Sequence, residues 1–360
     1  MPTSPGDLIR IRSAIGGALD DFLARQRAIL ADISDDLTPC ADAVTDLLAG
    51  GKRLRPAFCY WGWRACGGAD GPPIVAAAAA LELLHASALV HDDVMDGSDT
   101  RRGQPSVHKR FEARHTADRW LGEPPRFGMG AAILIGDLLL AWTDEMLRTS
   151  GLPADSIWRG LAVLDSMRTE VLAGQFLDLV AQSSGSSALA AALRVVTYKS
   201  AKYTVERPLQ LGAALHAGQP GDVDQTVRDA FTGYGIPLGI AFQLRDDILG
   251  VFGDPAQTGK PVIDDLREGK RTVLLALARE RADDAEAAVL DHCVGDPDLT
   301  EQAAQQVREV ITDTGALAEC EQMISVNLKE ALSALDGAPI AATAKSALAD
   351  LAVAATARAG

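Results

Sequence analysis

The feature that most restricts the possible fold and function of this chain is an apolar segment that ends in a group of acidic residues. The segment from Ile74 to Val90 is rich in alanine, and Asp92, Asp93 and Asp96 follow it directly. At 3.6 residues per turn, Asp92 and Asp96 lie on one face of a helix with Asp93 beside them. Like charges at this spacing destabilise an isolated helix, so a cation must offset their repulsion. Carboxylates on a rigid helix suit Mg²⁺, and the segment therefore predicts a core helix that ends in a metal site rather than in solvated acids.

A second acidic pair lies much later in the chain. Gln243 precedes Asp246 and Asp247 on an apolar helical segment, and Lys260 and Lys270 follow. Two acidic helix faces, each followed by cations, predict a site for a polyanion. In such a site the acids bind Mg²⁺, the metal ions bind phosphate oxygens, and lysine and arginine bind the remaining oxygens.

The basic residues are clustered, although the chain as a whole is acidic. The formal net charge is −15, which argues against nucleic acid as a partner because binding a phosphate backbone requires a basic face. One cluster contains Lys52, Arg53 and Arg55, after a predicted helix break at Gly50-Gly51, and another is Arg101-Arg102. A helix start with exposed N–H groups and basic side chains is a good anion site.

Helical periodicity runs through the whole chain. The predicted helices include Asp7 to Ile33, Pro72 to Asp96, Phe127 to Leu147, Asp155 to Val180, Ala188 to Ala217 with a kink at Pro208, and two helices after Thr300. The sequence contains no strand-like alternation of convincing length, no repeat of fixed period and no linker that would divide domains. It therefore predicts an all-α protein with a single domain spanning residues 1–360.

The sequence also predicts a cytoplasmic protein. The N-terminus has no basic region followed by an apolar core, so no secretory signal is evident. The apolar run from Ile74 to Val90 is interrupted by Glu82 and His85, which favours a buried core helix over a transmembrane segment. The five cysteines show neither metal-ligand spacing nor an even disulfide framework, as expected of reduced thiols.

Taken in order, these motifs resemble one family. The chain is similar to the trans-isoprenyl diphosphate synthases, or polyprenyl synthetases, and the matching residues are Gly50-Gly-Lys-Arg-Leu-Arg-Pro56, Glu82-Leu-Leu-His85, Asp92-Asp-Val-Met-Asp96, Arg101-Arg-Gly-Gln-Pro105, Gly136-Asp137, Gly174-Gln175 with Asp178, Tyr198-Lys-Ser200, Phe242-Gln243 with Asp246-Asp247, and Gly259-Lys260 with Asp265-Leu-Arg-Glu-Gly-Lys270. Each motif is weak alone, and their common order is specific.

The resemblance implies a fold, a reaction and residue roles. The fold would be a bundle of long helices around a deep central cavity, assembled as a homodimer. The reaction would be a Mg²⁺-dependent condensation of isopentenyl diphosphate with an allylic diphosphate to an all-trans prenyl diphosphate. The implied metal ligands are Asp92, Asp96 and Asp246. The implied catalytic residues are these three with Asp93, Arg101, Lys199 and Lys260. The implied substrate-binding residues are Lys52, Arg55, His85, Arg101, Arg102, Lys199, Ser200, Gln243, Lys260 and Lys270.

Two positions depart from the family pattern. Gly250 stands where the second acidic motif commonly ends in a third aspartate, and Ser200 replaces the more usual threonine. The resemblance gives Gly250 no role as a ligand, while Asp246 and Asp247 remain. Because glycine inside a helix costs about 1 kcal/mol relative to alanine, we expect Gly250→Ala to stabilise the chain.

Product length is predicted from the helix that carries the first acidic motif. If Asp92 fixes the diphosphate end, the growing tail runs back past Ala88 and Ser87 toward Leu84. Each turn is 5.4 Å, close to one extended isoprene unit. Small residues in the first turn predict a product longer than farnesyl diphosphate, with geranylgeranyl diphosphate favoured.

Several alternatives remain open at this point. The product could be farnesyl diphosphate or a longer polyprenyl diphosphate. A class I terpene cyclase would also use paired aspartates, but it needs no second diphosphate pocket like the one predicted at Gly50 to Pro56. A non-catalytic partner subunit of a heteromeric synthase would tolerate loss of the first acidic motif, which is intact here.

Overall fold

The computed structural model describes residues 5–185, 187–216, 218, 223–253 and 263–356. These residues fold almost entirely into helices, and the prediction of an all-α protein is confirmed. The α-helices are α1 (Pro5–Ile33), α2 (Thr38–Leu48), α3 (Leu54–Ala65), α4 (Pro72–Asp96), α5 (Val107–Ala117), α6 (Pro124–Arg148), α7 (Ala154–Ser184), α8 (Leu189–Val195), α9 (Arg207–His216), α10 (Gln225–Phe252), α11 (Asp264–Arg267), α12 (Val273–Arg281), α13 (Asp284–Cys293), α14 (Glu301–Asp313), α15 (Ala316–Asp336) and α16 (Ala342–Thr356).

Four further elements lie between the α-helices of the described chain. A 3₁₀ turn covers Asp35–Leu37, and a π-helix covers Val196–Glu206. Strands β1 (Thr100–Arg101) and β2 (Gln104–Pro105) pair antiparallel directly after α4. Each strand has only two residues, which is too short for the alternation that would reveal a strand in the sequence.

The described residues form two compact units. The first lies within Met1–Leu161 and Leu211–Asp222, and the second within Ala162–Gln210 and Val223–Gly360. Each unit is described by itself below.

Helix α4 is the core element of the first unit. Its first positions are Pro72 and Pro73, which suit the start of a helix because the missing N–H has no helical partner there. Gly97 ends it with φ of 66°, the left-handed conformation that favours glycine. Ala77 and its neighbours are almost completely buried, and α4 packs against α1, α3 and α6. The predicted bounds of this helix are confirmed.

Helix α10 holds the corresponding position in the second unit. It packs against α15 and against the π-helix. At Gly174, on the part of α7 that belongs to this unit, a Cβ atom would lie 2.5 Å from the backbone nitrogen of Lys199. The absence of a side chain there lets α7 approach the π-helix closely, and this contact fixes the segment that carries Lys199.

Two details of the predicted helices change. The helix predicted from Ala188 to Ala217 corresponds to three successive helical elements, which are α8, the π-helix and α9. Pro208 is the second residue of α9. The C-terminal region contains three helices rather than two, because Gly315 interrupts the chain with φ of 74°.

Two of the described helices are long and apolar enough to cross a membrane by length and composition. In α4, 72% of the most apolar window is buried, as expected of a core helix. In α6 the share is 39%. Its exposed face carries Phe127, Met129, Ile133 and Leu134.

Candidate active site

Functional side chains of the first unit gather around the C-terminal half of α4. We call this group the α4 cluster, and it consists of Arg53, Arg55, Glu82, His85, Asp92, Asp93, Asp96, Arg101 and Arg102. Lys52 lies beside it and is exposed.

A buried ion pair ties the loop before α3 to α4. Arg53 adopts a left-handed conformation with φ of 55° and is 8% exposed. Its Nη1 donates to Glu82 Oε2 at 2.5 Å, and its Nη2 donates to the carbonyl of Leu48. The pair neutralises the buried Glu82 charge, because a buried carboxylate is tolerated only when it is paired and hydrogen-bonded. It also fixes the loop from which Lys52 and Arg55 extend.

The three aspartates at the end of α4 differ sharply in their surroundings. Asp93 is 2% exposed, and both Nε (2.8 Å) and Nη2 of Arg101 donate to its Oδ1. The side chain of Asp92 is 19% exposed, and its Oδ2 lies 3.6 Å from Arg101 Nη2. Asp96 is partly exposed. The structure thus assigns Asp93 to holding Arg101, while Asp92 keeps a partly exposed carboxylate and both carboxylate oxygens of Asp96 are buried.

A tight hairpin turn presents the arginine pair. The φ angles of Arg102 and Gly103 are 54° and 73°, as a type I′ turn requires at its two central residues. Arg102 Nη1 donates to the carbonyl of Leu47, in the last turn of α2, at 2.7 Å. This bond places a cation at a helix C-terminus, where the helix dipole favours positive charge.

His85 is partly buried among these arginines. Burial lowers its pKa well below the usual value, and the nearby charges of Arg55, Arg102, Arg101 and Arg53 lower it further. The imidazole is therefore neutral at pH 7 and can donate one hydrogen bond to a phosphate oxygen.

The residues predicted to control product length line α4 before the aspartates. Leu84 and Ser87 are buried, whereas Ala88 is partly exposed, one turn before Asp92.

Functional side chains of the second unit gather around α10 and α11. We call this group the α10 cluster, and it consists of Gln243, Asp246, Asp247, Asp265, Glu268 and Lys270. Gln243 Nε2 donates to Asp247 Oδ1 at 2.8 Å. Lys270 Nζ lies 3.0 Å from Asp265 Oδ1 and 2.6 Å from Glu268 Oε2.

Asp247 is a buried carboxylate whose surroundings disfavour its negatively charged form. It is 7% exposed, and its Oδ2 has no hydrogen-bond partner within the described part of the chain. Its pKa is raised to about 7, chiefly by burial and also by the charges of Asp265 and Asp246. The bond from Gln243 and the charge of Lys270 act in the opposite direction.

Position 250 is in close contact with Asp265. A Cβ atom at Gly250 would lie 1.9 Å from Asp265 Oδ2. A methyl group at position 250 would therefore require the end of the Asp265 side chain, which Lys270 contacts, to move. The expectation that Gly250→Ala stabilises the chain stays a prediction.

The π-helix carries a further pair. Lys199 Nζ donates to Asp178 Oδ2 at 2.7 Å, and the Lys199 side chain is 27% exposed. Ser200 is buried beside it. Glu170 on α7 binds Lys202 at 3.0 Å and Arg207 through both carboxylate oxygens at 2.6 Å. These bonds anchor the part of the chain that follows Lys199.

The structure gathers most of the predicted site residues into these groups, and Lys260 lies outside the described residues. Sequence reasoning missed the roles of Arg53 and Asp265. A signal for the first existed, since Glu82 stands alone in an apolar run and needs a cation. No local signal connects Asp265 with Gly250.

The donor set suits Mg²⁺. No group of three or more His, Cys, Asp or Glu side chains forms a metal cage among the residues that the structure describes. Mg²⁺ usually takes one or two protein carboxylates and completes its shell with water and phosphate oxygens. The partly exposed carboxylate of Asp92, the carboxylate of Asp96 one turn further along α4, and the buried Asp247 oxygen without a hydrogen bond among the described residues suit such a shell.

Comparisons with known proteins give a consistent result. The sequence profile of the polyprenyl synthetase family matches residues 38–312. Geranylfarnesyl diphosphate synthase of Aeropyrum pernix is 33% identical over 295 residues, which cover 81% of this chain and 85% of that protein. Heptaprenyl diphosphate synthase component 2 of Geobacillus stearothermophilus is 33% identical over 324 residues, which cover 89% and 91%.

The solved structures that are similar to this chain include a geranylgeranyl pyrophosphate synthase from Corynebacterium glutamicum, complexed with isoprenyl diphosphate and magnesium. The TM-score is 0.92 at 40% identity, and the match covers 97% of this chain and 99% of that chain.

Proposed function

The chain belongs to the polyprenyl synthetase family and is a trans-prenyltransferase, and from this premise we propose that it condenses isopentenyl diphosphate with an allylic diphosphate to geranylgeranyl diphosphate. The family match runs through both compact units. This supports the proposal that residues 1–360 work as one polyprenyl synthetase domain.

One observation carries the proposal. Arg101 neutralises the buried Asp93, and Asp92 and Asp96 lie one turn apart on α4 beside a group of arginines, Asp92 with a partly exposed carboxylate. We propose Asp92, Asp96 and Asp246 as Mg²⁺ ligands. When bound, Mg²⁺ supplies Lewis-acid stabilisation of the negative charge that develops on the departing pyrophosphate.

The chain's own residues would bind and orient the two substrates. Lys199, Lys260 and the guanidinium of Arg101 would offer cations to the allylic diphosphate. Lys52, Arg55 and Arg102 offer cations to isopentenyl diphosphate, and neutral His85 donates a hydrogen bond to it. Gln243, Ser200 and Lys270 complete the proposed substrate contacts.

The reaction would proceed by ionisation and then condensation. The C–O bond of the allylic diphosphate breaks, and the apolar interior protects the resulting carbocation from water. The double bond of isopentenyl diphosphate attacks this carbocation. A proton then leaves the new adduct for the departed pyrophosphate, and the product is again an allylic diphosphate.

Incubation with labelled isopentenyl diphosphate and each allylic primer, followed by sizing of the products, tests the reaction. We expect the purified chain alone to elongate the primer in the presence of Mg²⁺. A second candidate, a subunit that is active only with a partner chain, is favoured by the similarity to a protein named as component 2 of a synthase. Absence of product from the chain alone, in spite of metal and both substrates, would support that candidate instead.

Product length is proposed from α4. Ala88 is small and partly exposed one turn before Asp92, and the similarity to a geranylgeranyl pyrophosphate synthase supports the same length. The relatives also include geranylfarnesyl and heptaprenyl synthases. We expect Ala88→Phe to shorten the main product toward farnesyl diphosphate, with Ala141→Phe, on an exposed position of α6, as the control. An unchanged product length would exclude α4 as the element that determines chain length.

A homodimer is proposed from the exposed face of α6. Leu134 is 70% exposed and Ile133 47%, next to Phe127 and Met129, and an apolar stripe of this kind marks an interaction surface. We expect the wild-type chain to be a dimer by light scattering and Leu134→Glu to dissociate it. Leu121→Glu, at a residue that is 99% exposed outside α6, should not. A monomeric wild type, or one that partitions onto lipid vesicles, would contradict this proposal.

The five cysteines are free thiols, three of them buried. This supports the proposal of a cytoplasmic location, because the cytosol keeps thiols reduced.

A further inference from the structure

We propose that His91 is a positioning residue for Asp92: its ring fits over Gly136 of α6 and so fixes the direction in which α4 presents the Asp92 carboxylate. The proposal rests on the proposed function, in which Asp92 is a Mg²⁺ ligand. It also gives a role to Gly136-Asp137, a motif of the family resemblance that has no contact in the proposed reaction.

The first observation is the space at Gly136. This glycine is buried inside α6, and a Cβ atom there would lie 2.2 Å from His91 Nε2, 2.5 Å from Cδ2 and 2.7 Å from Cε1. These three atoms belong to one rigid ring, so any side chain at position 136 would have to displace the whole imidazole. Glycine weakens a helix interior but permits close approach, and here the His91 ring occupies the place that a side chain of α6 would take.

The second observation is that polar contacts hold the same ring. His91 Nε2 lies 3.3 Å from the carbonyl oxygen of Ile133 and 3.6 Å from Asp137 Oδ1. Both oxygens are acceptors, so the ring carries its hydrogen on Nε2 and donates to the Ile133 carbonyl. The Asp137 side chain is 64% exposed, and an exposed charge contributes little energy. The position of the ring therefore depends chiefly on its fit over Gly136 and on the Ile133 carbonyl.

The third observation concerns the end of α4. His91 and Asp92 are consecutive, so their side chains leave the helix about 100° apart, the angle per residue at 3.6 residues per turn. A ring fixed on α6 therefore sets the rotation of this part of α4 about its axis, and with it the direction of Asp92. Support is needed there because Asp92 and Asp96 carry like charges one turn apart, directly before the helix ends at Gly97.

A purely structural role for His91 makes a different prediction. Loss of packing alone would lower the melting temperature and leave the folded protein with wild-type affinity for metal. Loss of positioning would weaken metal binding by protein that is still fully folded. Metal affinity measured well below the melting temperature therefore separates the two roles.

The test is a double-variant cycle. Wild type, His91→Ala, Gly136→Ala and the double variant are freed of metal, and Mn²⁺ binding is measured by paramagnetic resonance in the presence of inorganic diphosphate. We expect each single variant to weaken Mn²⁺ binding by about tenfold or more. The double variant should bind no more weakly than His91→Ala, because the ring atoms nearest to the added methyl group have gone. Gly17→Ala, inside α1 where a Cβ atom would meet no described atom within 4 Å, is the control.

Steady-state kinetics gives a second readout. Isopentenyl diphosphate is proposed to bind Lys52, Arg55 and Arg102 rather than the metal ions. His91→Ala should therefore lower kcat by about tenfold and leave the KM for isopentenyl diphosphate within about twofold of wild type. A higher KM for isopentenyl diphosphate with unchanged kcat would contradict a role through Asp92.

The outcomes separate this proposal from the proposed function. Wild-type Mn²⁺ binding by Asp92→Ala would contradict the proposed metal site, and the role of His91 with it. If Asp92→Ala loses binding while His91→Ala and Gly136→Ala bind like wild type, the positioning role alone is overturned. It is also overturned if Gly136→Ala weakens binding equally with and without the His91 ring. Should one single variant fail to fold in a thermal melt, the other decides alone, with weaker binding in favour and wild-type binding against.

Discussion

The α4 cluster and the α10 cluster both contain carboxylates, but they balance charge in opposite ways. In the α4 cluster Glu82 pairs with Arg53 and Asp93 pairs with Arg101. In the α10 cluster the buried acid Asp247 accepts, among the described residues, a hydrogen bond from the amide of Gln243, and burial with neighbouring acids raises its pKa to about 7. The α4 cluster thus neutralises Glu82 and Asp93 with its own arginines, whereas Asp247 carries a negative charge that a cation would offset.

This difference indicates that the two clusters would bind a diphosphate in different ways. A cluster with internally paired acids keeps its geometry before any ligand arrives. A cluster with repelling acids stores unfavourable energy that metal binding releases, so its affinity for metal comes at the expense of stability without metal. The same comparison predicts that similar substitutions have opposite effects in the two places.

The largest effect is expected on turnover. Removing Asp92 or Asp246 takes away a proposed metal ligand, and we expect Asp92→Ala and Asp246→Ala each to lower kcat by about 10²- to 10³-fold. Thermal melts should show that both variants stay folded, because neither acid belongs to the buried pairs of the α4 cluster. Asp99→Ala, at an acid whose side chain is 75% exposed, should keep full activity. Wild-type kcat in either variant would remove that residue from the metal site.

The next effect is on stability and should have opposite signs in the two clusters. Asp93→Asn leaves Arg101 without its main charge partner, and we expect a loss of about 3 to 5 kcal/mol in the free energy of unfolding, as for other broken buried pairs. Asp247→Asn removes a poorly balanced buried charge and should stabilise the metal-free protein at pH 8, while the amide oxygen still accepts from Gln243. Urea titrations with a chelator present measure both. Equal signs would break the comparison.

A smaller effect is expected in the pH dependence of stability. Asp247 has a folded pKa of about 7 against a usual value of 3.8, so between those values the folded protein holds a proton that the unfolded chain has lost. Stability of the metal-free protein should therefore fall as pH rises from about 4 to about 7. The total loss is on the order of 2 to 4 kcal/mol, because each pH unit in this window removes at most about 1.4 kcal/mol. The difference in unfolding free energy between wild type and Asp247→Asn, measured against pH, isolates the contribution of Asp247. Parallel pH curves for the two proteins would contradict the prediction.

The smallest expected effect on stability comes from His85, and it has the opposite dependence on pH. Its pKa lies well below the usual 6.5, so below that pH the unfolded chain takes up a proton that the folded protein does not. This contribution to stability is lost as pH falls below about 6.5. We expect His85→Gln to flatten the unfolding free energy between pH 6.5 and 5 relative to wild type. His292→Gln, at a histidine in the last turn of α13, is the control, and an equal change there would refute the assignment.

The fold was largely predictable because helical periodicity is local. The apolar run before Asp92 marks α4, the paired prolines mark its start and Gly97 marks its end. The hairpin at Thr100–Arg101 and the π-helix were not predictable, since each depends on a few backbone angles that leave no periodic trace.

The sequence predicted which residues belong to the site better than it predicted which residues pair with one another. The spacing of Asp92, Asp93 and Asp96 could not tell which acid Arg101 neutralises, because that choice depends on how the hairpin folds back. The contact between Gly250 and Asp265 was equally invisible. Helix propensity alone favours alanine over glycine there, but propensity does not show that a new methyl group would meet the Asp265 carboxylate of a separate helix.

The π-helix at Val196–Glu206 has a consequence for how this chain can vary in length. A π-helix closes its hydrogen bonds over five residues instead of four, so it holds a surplus residue relative to an α-helix. Losing one residue there would let the segment relax into an α-helix and turn everything on one side of the deletion by about 100° relative to the other, the angle per residue at 3.6 residues per turn. Lys199 and Ser200 would then point elsewhere, although no side chain had been altered. Evolution can exchange residues in this segment, but it cannot shorten it by one without abandoning the position of that lysine.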